Sequence, residues 1–132
     1  MASAEEGRSA LRLELAADRA VYRAGELVEL TLAATNSGSA PVTLTAPSSQ
    51  LYDFVVLQNS LEVWRWSRGR MFLTVLTPLT IRPGETRRFK EKWDQRDQAG
   101  RPVGPGDYVV EGILIGGKET GLNPERLPIT IR

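Results

Sequence analysis

From Leu11 onward the chain alternates apolar and polar residues with period two, the mark of strands that bury one face. LRLELAA (11–17) sets Leu11, Leu13 and Leu15 against Arg12 and Glu14. LVELTLAATN (27–36) puts Val28, Leu30, Leu32 and Ala34 on one face, with Glu29 and Thr31 on the other. VTLTA (42–46), LYDFVVLQ (51–58), LEVWRWS (61–67), TRRFKEKW (86–93), DYVVEGILI (107–115) and LPITIR (127–132) continue the series. In TRRFKEKW the cations Arg88, Lys90 and Lys92 point one way and Phe89 and Trp93 the other. Only RGRMFLTVL (68–76) suits a helical turn, and Gly69 weakens even that.

The breaks between these segments also repeat. Ala24-Gly25-Glu26, Pro83-Gly84-Glu85 and Pro105-Gly106-Asp107 each precede a strand. Proline at the second turn position and a positive φ at a third-position glycine predict type II turns. NSGSAP (36–41) marks another connection. Many short strands with regular turns and almost no helix predict an all-β fold: an immunoglobulin-like antiparallel β-sandwich of about seven to nine strands. Residues 1–10, small and polar, read as a flexible tail, and 11–132 as a single domain.

The segment VWRWSRGRMF (63–72) places Trp64 and Trp66 two positions apart among Arg65, Arg68 and Arg70. A two-residue turn at Asn59-Ser60 pairs Val55 with Trp64, Phe54 with Arg65 and Asp53 with Trp66. Leu51, Val55, Leu57, Trp64 and Trp66 then share a face too apolar for water, and Asp53 is placed to accept the indole N–H of Trp66. An odd extra residue would exchange the faces. Three readings stand side by side: tryptophans in the core, an aromatic shelf whose arginines grip phosphates, or one tryptophan anchoring a protein partner. The core reading groups Trp64 and Trp66 with Trp93, Phe54 and Tyr108. Ser67 is a candidate cap for a helical turn behind them.

Composition narrows the chemistry. The 132 residues carry 17 basic and 16 acidic side chains, a net charge of +1 that gives no bulk attraction for nucleic acid or an anionic membrane. Cysteine and histidine are both absent, which removes disulfides, thiol catalysis, the commonest general base and the commonest transition-metal ligand. DQRDQAG (94–100) has an arginine, Arg96, where a calcium loop needs its second oxygen ligand, so Asx turns are expected there. Asp53 and Glu62 share a hairpin face, but so short a chain has few loops with which to build a glycosidase cleft. No enzyme, no cofactor and no metal site is expected. The opening MASAEEGRSA lacks the basic and apolar regions of a signal peptide, and no apolar run reaches the ~20 residues of a membrane helix. A cytoplasmic monomer is expected, although removal of an export signal would leave the same sequence.

An ordered set of motifs points further. QLYDFVV (50–56), VWRWS with Arg70 and Phe72 behind it, IRPGE (81–85), and KWDQRD-x-x-G-x-PV-x-PG-x-Y (92–108) with Gly112 and Leu114 following resemble the intracellular proteinase inhibitor family of the BsuPI type. The resemblance spans roughly Leu27 to Leu114. It implies an immunoglobulin-like sandwich, a protein partner and inhibition of an intracellular subtilisin-type serine protease.

An inhibitor of this kind would offer a stiff loop in extended form to the enzyme's cleft. In QRDQAGRPVGPGD (95–107), Pro102 and Pro105 bracket Val103 beside Arg101, and these four residues are the first candidates for protease contact. FLTVLTPL (72–79) is the second candidate, its apolar run suiting the clefts of subtilisin-type enzymes or the floor of the core. The reading from another class is a non-inhibitory immunoglobulin-like interaction or adhesion module. Its exposed strand edges would recruit a partner, and Pro128 would guard one of them.

Overall fold

Among the described residues the chain forms ten strands, eight of them in the alternating segments: β1 (Leu11–Ala17), β2 (Val21–Tyr22), β3 (Val28–Asn36), β4 (Val42–Ala46), β5 (Tyr52–Gln58), β6 (Leu61–Arg65), β7 (Thr77–Ile81), β8 (Thr86–Trp93), β9 (Gly106–Leu114) and β10 (Glu125–Ile131). The computed structural model describes residues 10–116 and 122–132. The expected tail therefore lies outside the described residues except for Ala10, whose carbonyl accepts the Ser37 N–H at 2.9 Å.

Three sheets result, in strand orders β1-β3-β8, β2-β10-β9-β5-β6 and β4-β7. All pairings are antiparallel except the two-residue parallel bridge of β2 to β10. The architecture is an all-β, immunoglobulin-like sandwich. The pattern that predicted β3 is also the one it buries: Val28, Leu30, Leu32 and Ala34 are fully enclosed while Glu29 is exposed. In β8, Phe89 and Trp93 turn inward and Arg88, Lys90 and Lys92 outward.

Aromatic contacts join the sheets. Trp93 of β8 meets Trp64 of β6 at 6.1 Å and Tyr108 of β9 at 6.0 Å between ring centroids. Phe89 of β8 stacks on Tyr52 of β5 at 4.8 Å. The sheets approach closely at Gly112, where a Cβ would stand 3.0 Å from a Leu32 methyl and 3.1 Å from one of Leu15. Asn36, fully buried at the end of β3, fastens the β4-β7 pair by donating its amide N–H groups to the carbonyls of Ala40 (2.8 Å) and Ile81 (2.9 Å). Burial without such partners would cost more than the bonds return.

Several expectations are corrected. β2 and β7 are additional strands. Gly25 and Gly84, at φ of +84° and +77°, fit type II turns closed by the Arg23–Glu26 and Arg82–Glu85 hydrogen bonds. Gly106, at φ +149°, instead begins β9, outside the range a type II turn requires. The 68–76 segment holds no helical turn. Its start consists of tight turns in which Arg68 N–H reaches the Arg65 carbonyl (3.2 Å) and Arg70 N–H the Ser67 carbonyl (3.1 Å).

Candidate functional site

Asn59 and Ser60 do form a two-residue turn, with φ of +51° and +65° as a hairpin with mirror-image turn geometry requires. The expected register holds for Gln58–Leu61 and Leu57–Glu62, then slips: Val56 lies opposite Trp64 and Val55 opposite Arg65. Val63 is the extra residue, a β-bulge. The bulge returns Trp64 to the face of Val56 and Phe54, where it reaches Trp93. The predicted pairing of Trp66 with Asp53 is thereby overturned, and the Trp66 N–H of the backbone bonds the Phe54 carbonyl at 2.9 Å.

Asp53 serves other donors. Only 2% exposed, it accepts the N–H groups of Phe54 (2.9 Å) and Ser67 (3.1 Å), the Ser67 hydroxyl (2.5 Å) and Nη1 of Arg65 (3.1 Å). Ser67 thus donates its hydroxyl to a carboxylate rather than capping a turn. The Arg65 guanidinium also bonds Glu62, at 2.9 Å from Nη2, and Glu62 holds Arg68 at 2.6 Å. Glu62 first and Asp53 after it raise the pKa of Arg65 above its ordinary value. Two of the three arginines around the tryptophans are therefore engaged by carboxylates of this chain.

The third lies on Trp66. The Arg70 guanidinium carbon sits 4.6 Å from the indole centroid, and its Nε donates to the Trp66 carbonyl at 3.0 Å. Phe72 packs on the same indole at 5.9 Å, and Tyr52 stacks on it at 4.7 Å. Phe89, Tyr52, Trp66 and Phe72 thus form a file of rings from the core to the surface. Burial, then the Glu91 carboxylate that accepts its hydroxyl at 2.8 Å, push the Tyr52 phenol up to about 12. The indole N–H of Trp66 is buried and has no acceptor among the described residues.

Beyond this pedestal the chain runs over the surface without regular structure until β7. Met71 is 98% exposed, Leu73 69%, Val75 52% and Leu76 75%. The segment is nevertheless tied. Leu73 N–H donates to the Ser49 hydroxyl (2.8 Å), and its carbonyl accepts the Ser49 N–H (2.9 Å). The Thr77 hydroxyl donates to the Val75 carbonyl at 3.0 Å. Four exposed apolar side chains in six residues form the kind of patch that soluble proteins keep for a partner.

The 95–107 loop is built differently. Asp97 accepts the N–H groups of Ala99 (3.0 Å) and Arg101 (2.9 Å) on one oxygen and Arg101 Nε (3.2 Å) on the other. The Arg101 N–H is the foremost cause holding the Asp97 carboxyl below the usual carboxylate range. Arg96 faces Pro102 across a small bridge, and Val103 N–H reaches the Gln95 carbonyl at 2.9 Å. Arg101, Pro102 and Pro105 are exposed and Val103 is half-buried against the core. Phe54, Trp93 and Tyr108 are buried, whereas Trp64 and Trp66 are half-buried with their rings packed on the core.

The loop's root is Gln95, which sequence reasoning passed over. Buried and at φ +60°, it donates its amide N–H groups to the carbonyls of Arg23 (2.8 Å) and Glu26 (2.9 Å) and accepts the Gly25 N–H (3.2 Å). A polar residue between Asp94 and Arg96 gives no hint of burial in the sequence.

Among solved structures the fold is similar to part of an alkylpurine DNA glycosylase of Pseudomonas fluorescens bound to DNA (TM-score 0.56, 16% identity), covering 93% of this chain and 30% of that one. It is similar to part of a β-glucosidase of Erythrobacter marinus (TM-score 0.55, 15% identity, 92% of this chain and 15% of that one). It is also similar to a CARDB domain of Pyrococcus furiosus solved with di-metal ions (TM-score 0.53, 15% identity, 92% and 87%). The chain thus spans under a third of each of the two enzymes, and at these identities the likeness is one of fold. No curated protein matches the sequence. Residues 15–119 match the family described as BsuPI, intracellular proteinase inhibitor, a span that holds the pedestal, the exposed apolar segment and the Asp97 loop. The chain belongs to the BsuPI family of intracellular proteinase inhibitors.

Proposed function

We propose that the chain inhibits an intracellular serine protease of the subtilisin type by contact alone, presenting residues 70–76 to the enzyme's cleft. The single observation that carries this reading is the run of exposed apolar side chains at Met71, Leu73, Val75 and Leu76, on irregular chain tied down at Leu73. A tethered segment loses little freedom on binding, so more of its contact energy appears as affinity. Its apolar side chains suit a cleft that accepts apolar residues on both sides of the reacting bond. The partner is the protease, and no chemistry of the inhibitor's own is required.

The 101–105 loop is the second reading, favoured by the 79% exposure of the Arg101 side chain on a tip already fixed by Asp97. Arg101, Pro102, Val103 and Pro105 would then make the contact. Titration of the domain against a subtilisin-type protease, with the intact mass followed throughout, tests both readings. Stoichiometric inhibition with the chain uncut is the expected result. A domain that leaves activity untouched, or is simply digested, would return the protein to the class of non-inhibitory interaction modules. Loss of inhibition in Arg101→Glu with Val103→Glu, and not in variants of 70–76, would select the second loop.

A further inference from the structure

We propose that Met71 is the side chain this inhibitor places in the protease's primary specificity pocket, with Trp66 as the platform that aims it. The proposal rests on the inhibitory reading above and narrows it to one residue and one pocket chemistry.

The residues on either side of Met71 are both turned onto the same indole, Arg70 at 4.6 Å and Phe72 at 5.9 Å. Two positions on, Leu73 is fixed to Ser49 through both its backbone groups. The chain is therefore held immediately before and after Met71, while the Met71 side chain itself stands in water at 98% exposure. An inhibitor that pairs with the edge of an enzyme cleft needs backbone N–H and C=O groups not already used. No hydrogen bond to a described residue engages those of Met71. Leu73 differs, since Ser49 occupies both its groups, and the Val75 carbonyl is taken by Thr77.

The platform does not drift with the surface, because Trp66 is stacked through Tyr52 onto Phe89 in the core. It thereby supplies without sulfur the stiffness that many small inhibitors draw from disulfides. Methionine is unbranched, flexible and polarizable, and fits a deep apolar pocket that a β-branched residue would fill poorly. The class of enzyme implied is a serine protease with an apolar primary pocket, not one carrying a carboxylate at its base.

The only other methionine is Met1, so the position can be altered chemically as well as genetically. Hydrogen peroxide transfers one oxygen to the thioether, leaving a polar sulfoxide and one water. Inhibition constants are measured against a subtilisin-type protease for the wild type, Met71→Asp and Met71→Leu, before and after peroxide, with oxidation located by peptide mass. Loss of the buried apolar contact predicts an inhibition constant about 10- to 100-fold weaker for the sulfoxide, and weaker still for Met71→Asp. Met71→Leu inhibits with or without peroxide, and Met71→Lys moves inhibition toward trypsin-type enzymes with an acidic pocket. Urea midpoints and tryptophan emission stay unchanged, since the side chain touches nothing in the fold. Met71→Asp inhibiting as tightly as the wild type overturns the assignment of Met71 while leaving the inhibitory reading standing. A wild type that inhibits no such protease overturns both.

Discussion

Ser49 and Leu73 exchange a pair of hydrogen bonds across 24 residues of chain, Leu73 N–H to the Ser49 hydroxyl at 2.8 Å and Ser49 N–H to the Leu73 carbonyl at 2.9 Å. This is the distal tether of the 70–76 segment. Ser49→Ala keeps the second bond and deletes the first. We predict that global stability falls by no more than about 1 kcal/mol, as for one exposed hydrogen bond. Inhibition is expected to weaken about tenfold because the loop must be ordered on binding. Amide exchange at Leu73, compared with a urea melt, separates the two effects. Equal loosening of the whole domain would contradict the tether.

Asp53 presents the opposite case, a structural group whose loss should be felt globally. Its carboxylate satisfies four donors while nearly enclosed. Asp53→Ala would strand the Ser67 hydroxyl and one arm of Arg65, at a cost of about 3 kcal/mol. Asp53→Asn keeps acceptor oxygen in place and should cost less. Denaturant titration of the two variants checks the order, and an alanine variant as stable as the wild type would remove Asp53 from its assigned role.

Alkaline pH should unfold the domain through its phenols. Burial is the foremost cause raising Tyr22 and Tyr52 from 10.0 to about 12, and carboxylate partners add to both. The native state therefore keeps protons that the unfolded chain has released, and stability present below pH 10 is lost as pH rises toward 12. Ultraviolet titration of phenolate alongside unfolding should show the two transitions together. Tyr52→Phe should shift the midpoint upward.

Acid acts on the other loop. Asp97 titrates below its ordinary 3.8 because the charged carboxylate accepts two backbone N–H groups and pairs with Arg101. A lowered native pKa means that its contribution is present above the unfolded value and disappears as pH falls through the folded one. Exchange protection of the Ala99 and Arg101 amides should persist at pH 4 and vanish at lower pH. In Asp97→Asn that pH step should be absent.

Much of this architecture is written in period two. The strands at 11–17, 42–46 and 86–93 begin and end where alternation begins and ends, because one face of each must be buried. β2 escapes such a reading since two residues cannot display a period, and β7 is masked by Pro78 and two threonines. The slip at Val63 leaves the alternation of LEVWR nearly unchanged while exchanging the partners of everything beyond it. That single inserted residue redirects Trp66 from Asp53 toward Arg70 and Phe72. FLTVLTPL stands out in the sequence as an apolar run, but its exposure does not, because FLTVL spells the same in a core strand as on a surface loop. Ser49 and Gln95, which fix the two candidate loops, have neither charge nor periodicity to announce them.

The amide of Gln95 has a further consequence. It joins the 23–26 turn to the foot of the Asp97 loop, regions about seventy positions apart, through three bonds to peptide groups. A crosslink of that span made from cystine would open or shuffle in a glutathione-rich compartment. An amide crosslink is indifferent to thiol reductants. A molecule melted by heat carries no mispaired sulfur to trap it, and cooling should restore the joint.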